Sequence, residues 1–246
     1  MDIKIFLLSN KTSFSIFLDE CLKEDAFETN FIDRIKQEET LQDNIVIINL
    51  LEKRVNIDKE LDFILHSKCQ KIILLENAMN LYLNSKNQPP FSVYTKLQPE
   101  NEISIKFLEI ENKIINSEKQ YVIFRITDIY GPSIPEALVN QLFRSKKRQL
   151  QNTKHDFIYE GDVIQAIEIA LGQNVIGLFD IASGQTISLR TISELITKSY
   201  NINSKINWKR KKQKISFNCE NLKFFGWQPL INIEMGLSTI FSLKKH

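Results

Sequence analysis

Few residues in this chain stand at spacings that could do chemistry. Tyr82 and Lys86 are four apart, the separation that places a phenol and an ammonium on one helix face, where they could manage a proton together. Asn84 and Asn87 are poor helix formers, and prolines 89 and 90 follow closely, so the helix this pair needs is not expected. Tyr94 and Lys96 sit in the same proline-containing stretch. Asp156, Glu160 and Asp162 are close enough for a carboxylate pair, but Asp162 is better placed in the first turn of a following helix. His66, His155 and His246 are too scattered for a metal triad. Cys21, Cys69 and Cys219 are equally dispersed, with no CxxC, so neither zinc nor a disulfide framework is indicated and a reducing compartment fits. No P-loop, GxSxG or HExxH occurs. The basic run WKRKKQK, Trp208 to Lys214, reads as a solvated surface segment, with a phosphate or polyanion contact as the alternative. A formal net charge of +2 is too small to argue for nucleic acid, which is not an expected partner.

The elements that would position these groups follow an alternating pattern. Short apolar runs rich in β-branched residues fall at Ile3–Leu8, Ile45–Asn49, Lys71–Leu75, Tyr121–Ile126 and Gly177–Ile181. Continuous apolar strands of this kind belong to a parallel sheet covered on both faces. Between them lie helical patterns at Ser13–Lys23, Lys59–Ser67, Ile103–Asn116, Ile134–Arg144, Gly161–Leu171 and Leu189–Tyr200, the last with Ser188 as N-cap. Strands alternating with helices imply βαβ units. Leu83–Asn101 holds three prolines and reads as a long loop. The opening MDIKIFLLSN is a buried first strand rather than a secretory signal, and no apolar run approaches a membrane span, so a cytoplasmic protein is expected.

Three segments, in order, carry a resemblance. YVIFRITDIYGP (Tyr121 to Pro132) is similar to an apolar strand ending in Arg with a Tyr-Gly-Pro shortly after. HDFIYEGDVIQAIEIAL (His155 to Leu171) resembles an Arg-Asp-Phe-Ile-Tyr-Val-Asp-Asp-Val strand entering a helix. GLFDIASGQTISLRTISELI followed by NLKFFGWQPLINIEMGL resembles Tyr-Asn-Ile-Gly-Ser-Gly, a helix, Leu-Gly-Trp-x-Pro and a terminal Gly-Leu. Their order and spacing resemble the extended short-chain dehydrogenases that modify sugar nucleotides, with lengths nearest the dTDP-4-dehydrorhamnose reductase branch. The resemblance implies an α/β fold: a Rossmann-like doubly wound parallel sheet for the cofactor and a small C-terminal α/β lobe for the sugar nucleotide. The division expected is 1–132 for the Rossmann-like core, with sheet contributions from about 155–182, and 133–246 for mixed core and lobe.

The residues that carry the family's redox chemistry are replaced together. Its glycine-rich turn allows close backbone approach to a pyrophosphate. Here the glycine positions fall at about Ser9, Thr12 and Ser15, where a Cβ intrudes and positive φ is disfavoured. Thr12 or Ser13 reads instead as an N-cap. Asn49 matches a polar residue at the end of a preceding strand. For the adenosine ribose the chain offers Asp33 and Arg34 with no clean strand before them.

The family's Tyr-x-x-x-Lys helix maps, counting back from Arg125 with Glu111 as the acid after the Lys, onto Ile103 and Phe107. Neither can shuttle a proton or hold a ribose. A shift of one residue gives Glu102 and Lys106 instead. The usual hydroxyl partner is replaced by Glu76, Asn77 and Ala78. Substrate-binding candidates are Glu76, Asn77, Tyr130 and His155.

These replacements predict a degenerate member with no catalytic pair, no cofactor required and no metal. It would bind a nucleotide sugar or similar ligand, or act as a protein partner. The alternative is an active NAD(P)-dependent epimerase, dehydratase or reductase with an atypical site. Ile103, Phe107, Leu108, Ile110, Ile114 and Ile115 form an apolar stripe that predicts a homodimer or heteromer through helix 103–116.

Overall fold

The structure is a computed structural model and describes residues 3–32, 41–51, 57–82, 89–144, 148–202 and 205–243. The chain divides into two units. The first comprises Met1–Lys86, Lys96–Arg125 and Ile167–Phe179; the second comprises Asn87–Thr95, Ile126–Ala166 and Asp180–His246.

The first unit runs β1 (Lys4–Leu8), α1 (Ser13–Glu24), β2 (Glu28–Ile32), β3 (Ile45–Asn49), α2 (Asp58–His66), β4 (Lys71–Asn77), α3 (Ala78–Tyr82), α4 (Glu102–Ile115) and β5 (Gln120–Ile126). The second opens with β6 (Asp128–Tyr130), α5 (Leu138–Leu142) and β7 (Arg148–Tyr159). It continues into α6 (Glu160–Gly172), whose last turns belong to the first unit, as does most of β8 (Gly177–Ile181). It closes with β9 (Thr186–Ser188), α7 (Leu189–Tyr200), β10 (Ile206–Lys214), α8 (Glu220–Lys223) and α9 (Ile233–Leu243).

Six strands form one sheet in the order β2-β1-β3-β4-β5-β8, and β1 pairs parallel with both β2 and β3. Every residue of β3 is buried, as are the first six of β4, which is why both read as unbroken apolar runs. The fold is therefore the Rossmann-like parallel α/β architecture that the alternating pattern implied. The chain leaves β1 for β2 on one side and returns as β3 on the other. That reversal is the switch point, outside whose strand ends open α/β sheets bind ligands.

The second sheet has the order β10-β7-β6, with β9 antiparallel to β7. Its long central strand β7 was visible in the sequence only from His155. The stretch before it, RQLQNTK, is too polar to announce a strand, yet Arg148 to Lys154 pair with β10. The run Trp208–Lys214 is likewise strand, and Lys209, Arg210, Lys211 and Lys214 are exposed as a solvated surface segment should be.

Two further expectations need correction. A strand does precede Asp33: β2, with burial alternating along ETNFI, lies at the sheet edge and shows no continuous apolar run. Asp33 and Arg34 themselves lie outside the described residues, as do Lys86 and His246. The helix expected over Ile134–Arg144 is only α5, Leu138–Leu142, because the turn after Pro135 delays its start.

Gly236 shows why a small residue ends the third resembling segment. A Cβ there would lie 2.5 Å from the Tyr130 hydroxyl, whose ring is fully buried beneath α9.

Candidate functional site

At the switch point β1 gives way to α1 through Ser9–Thr12. Thr12 is the N-cap, its hydroxyl accepting from the Ser15 amide at 3.3 Å. Ser9 and Ser15 are both buried, and their hydroxyls bond each other. Thr12 Oγ1 lies 2.9 Å from Ser15 Oγ, and Ser9 Oγ donates to the Asn10 carbonyl at 2.7 Å. Asn49, from the end of β3, donates through Nδ2 to Ser15 Oγ at 3.0 Å, while its Oδ1 accepts from the Leu51 amide at 3.0 Å. Side chains from both arms of the switch point thus meet on Ser15. Each hydroxyl is satisfied within the protein, and the turn carries side-chain atoms where a glycine turn would be bare.

The second candidate element is α4, capped by Asn101, whose Oδ1 accepts from the Ser104 amide at 2.8 Å. Its position is set by one interaction. Arg125, buried on β5, forks onto Glu111 through Nε and Nη2 at 2.6 Å each. Nη1 donates to the Tyr82 hydroxyl at 2.8 Å, and Glu76 Oε1 lies 3.8 Å from Nε. Burial raises Glu111, but hydrogen bonds with Glu76 and Arg125 and the arginine's charge outweigh it and hold Glu111 low. Burial likewise opposes the charge on Arg125, and Glu111 overcomes it, pushing the guanidinium up.

This pair joins the two residues that anchored the count along α4, on which Ile103 and Phe107 both lie. They do not share an environment. Ile103 is 49% exposed and Phe107 is 1% exposed. In the shifted register Glu102 is exposed, and Lys106 is held by Asp58 at 2.6 Å and by Glu109 at 3.6 Å. Tyr82 closes α3 inside the Arg125 cluster, fully buried, and so cannot meet a substrate as it stands.

The remaining sequence candidates are accounted for by local structure. Glu76 is fully buried beside Arg125, and Asn77 accepts from the Met79 amide at 2.8 Å to start α3. In the second unit Tyr130 is buried, burial pushes its phenol up, and its hydroxyl bonds the Asn232 carbonyl at 3.3 Å. His155 has both ring nitrogens engaged: Nδ1 lies 2.5 Å from Asp128 Oδ2, and Nε2 lies 2.5 Å from Thr153 Oγ1. Sequence reading missed this Asp128–His155–Thr153 chain. The i, i+2 spacing of Thr153 and His155 was the signal, once β7 is known to reach that far back.

The acids near the start of α6 each bond a different segment, and Asp156 and Asp162 hold loops that line a cavity. Asp156 accepts from the Ser183 amide at 2.9 Å, the Ser183 hydroxyl at 2.7 Å and the Gly184 amide at 3.1 Å. Asp162 does sit in the first turn of α6, but its carboxylate accepts from the Leu230 and Ile231 amides at 2.9 and 3.2 Å. Trp227 donates to the Asp162 carbonyl at 2.9 Å, so the Gly-Trp segment is tied to the same helix. The two pinned loops, with Phe157, Gln185 and Thr186, line a cavity of about 300 Å³ within the second unit.

Burial pushes Asp156 up to about 6 and Glu160 up to about 7, although hydrogen bonds from Ser183 and Ser133 respectively pull the other way. Both folded values lie above the unfolded ones. Their contribution to stability is therefore complete below pH 4 and is lost as pH rises through 6 to 7. Glu160 alone should remove about 3 kcal/mol between pH 5 and pH 8. Denaturant unfolding at those two pH values should show the fall, and Glu160→Gln should flatten it. An unchanged pH profile in that variant would place the effect elsewhere.

Among the described residues no group of three His, Cys, Asp or Glu could hold a metal ion, and no helix is long and apolar enough to cross a membrane.

No family model matches the chain, and no curated protein matches it by sequence. Solved structures do match it in fold. The UDP-glucose 4-epimerase of Thermotoga maritima, solved with UDP-glucose, superposes with a TM-score of 0.79 at 15% identity, covering 99% of this chain and 100% of that one. The UDP-N-acetylglucosamine 4-epimerase of Bacillus cereus gives 0.80 at 16% identity, covering 99% and 100%. The Bordetella bronchiseptica enzyme WbmG, solved with NAD and UDP, gives 0.80 at 11% identity, covering 100% and 96%.

Proposed function

We propose that this chain is a degenerate relative of the nucleotide-sugar short-chain dehydrogenases. In this reading it has lost NAD(P)-dependent redox chemistry and serves as a ligand-binding or partner protein. The reading rests on α4: the count back from Arg125 sets the family's proton-donating tyrosine at Ile103, which is exposed, and its lysine at Phe107, which is buried. Neither side chain can exchange a proton. The Ser9–Ser15–Asn49 network supports it, because a dinucleotide at the β1–α1 turn would have to displace bonded, buried hydroxyls. The residues present therefore do not fit NAD(P) at that turn. The ligand proposed is a nucleotide sugar, by analogy with UDP-glucose in the Thermotoga neighbour.

The test is turnover. With NAD and UDP-glucose, and separately with UDP-N-acetylglucosamine, proton NMR should show no epimer above the enzyme-free control. Steady epimer formation would overturn the proposal.

A second reading keeps an active enzyme with an atypical site, and one observation favours it. The Asp128–His155–Thr153 chain is the arrangement that orients an imidazole and polarises a hydroxyl. Under that reading epimer forms and His155→Ala abolishes it.

We also propose that the chain assembles through α4. Phe107, Ile110 and Ile114 are buried within their own unit and leave the expected stripe. Of that stripe Ile103 and Ile115 stay exposed and Leu108 is half-buried; Ile105, also exposed, lies with Leu108 and Ile115 along one line of the helix at i, i+3 and i+10. Sedimentation velocity should give a dimer or larger species, and Ile105→Glu with Ile115→Glu should give a monomer. A wild-type monomer at micromolar concentration would contradict it.

A further inference from the structure

The net charge of the chain conceals a strong separation. Residues 148–154 and 205–214 hold eight lysines and arginines and no acid, while the whole chain is +2, so the remainder is net −6. Pairing of β7 with β10 brings these two segments side by side, Gln149 opposite Asn207 and Gln151 opposite Lys209. β9 pairs with β7 only from Lys154, and β6 only from Phe157, so residues 148–152 with 206–210 form a two-stranded ribbon.

Because side chains alternate along a strand, Gln149, Gln151, Asn207 and Lys209 share one face of that ribbon, and Lys211 follows them where the register of β10 shifts. All five are exposed. Trp208 and Leu150, on the other face, are half-buried and hold the ribbon in place. Among the described residues no carboxylate pairs with Lys205, Lys209, Arg210, Lys211 or Lys214. On α7, which packs against β7, the nearby acid Glu194 is already held by Arg190 at 2.9 Å.

Lysines commonly protect an edge strand from pairing with another chain, but one or two suffice for that. A full face of amides and ammoniums without an acid does something further. Asn and Gln donate and accept toward base edges, and Lys reads guanine and neutralises phosphate. A two-stranded ribbon also has the width that the major groove of B-form DNA admits. We propose that the ribbon of β7 and β10 docks duplex DNA in the major groove. Its Gln149, Gln151 and Asn207 face the base edges, and Lys209 and Lys211 are set between bases and backbone. The proposal is independent of the nucleotide-sugar reading, since none of these residues belongs to the switch point or to α4.

The test is fluorescence anisotropy of the full chain with a fluorescein-labelled mixed-sequence DNA duplex three helical turns long. With about four phosphates neutralised, affinity should fall roughly 100-fold between about 50 and 200 mM salt. Lys209→Glu with Lys211→Glu should weaken binding at least as much at the lower salt. The same charge change placed in the first unit, Lys68→Glu with Lys113→Glu, should stay within a few-fold of wild type. Circular dichroism melting confirms that each variant is folded. Absence of salt-sensitive duplex binding overturns the proposal, as does an equal loss in the two double variants. Tighter binding to the matching single strand, or to phosphatidylserine vesicles, overturns it as well.

Discussion

Arg125→Met should cost this protein 3 kcal/mol or more, because it leaves the Glu111 carboxylate buried, 1% exposed, with its charge partner gone. The guanidinium supplies two hydrogen bonds of 2.6 Å to Glu111 and one of 2.8 Å to the Tyr82 hydroxyl, and none of the three groups can turn to water. Removing one member of a buried pair costs about 3–5 kcal/mol, whereas replacing both with apolar groups of similar volume is often close to neutral. The double variant Arg125→Met, Glu111→Leu should therefore recover most of the loss, although Glu76 and Tyr82 still need partners. Urea unfolding of the wild type, both single variants and the double variant measures the coupling. Additive single losses would mean that the pair does not act as a unit.

Placing a lysine at position 107 should fail. Phe107→Lys places an ammonium where the native ring is 1% exposed, on the face of α4 that also buries Ser104, Ile110, Glu111 and Ile114. The nearest buried acid, Glu111, is already committed to Arg125. A buried, unpaired lysine either shifts its pKa down by several units or opens the structure, so a loss of several kcal/mol or no soluble protein is expected. Ile103→Tyr, at a half-exposed position, should be tolerated within about 0.5 kcal/mol. The asymmetry follows from burial, and a well-folded Phe107→Lys protein with native melting behaviour would contradict it.

How much could be read in advance depended on burial. β3 and β4 are covered on both faces, so Ile45–Asn49 and Lys71–Leu75 announced themselves as strands. β2 is an edge, and β10 and the first half of β7 carry solvated polar side chains, so no apolar run marked them. The same cause hid the basic ribbon, since a run of charges looks identical whether it is loop or strand until its partner is known. In the candidate site, Thr12 as N-cap was legible from spacing alone. The partners of Glu76, Asp156 and Asp162 were not. They come from segments 27 to 69 residues away, and nothing local in the sequence states which distant groups a buried carboxylate will meet.

The roles of these acids also differ from what their closeness suggested. Asp156, Glu160 and Asp162 are near in sequence, but each is directed at a different loop, and their function is to hold those loops in place. A buried carboxylate accepting several backbone N–H groups is a structural fastening first, whatever the cavity beside it receives.

The central claim concerns the β1–α1 turn and α4, and NADH binding tests it most directly. Titrating NADH into the protein and following the nicotinamide fluorescence, with calorimetry as the second readout, should show no saturable binding up to millimolar cofactor. Saturation in the micromolar range, lost on Ser15→Arg and accompanied by protection of the β1–α1 segment from hydrogen exchange, would contradict the account.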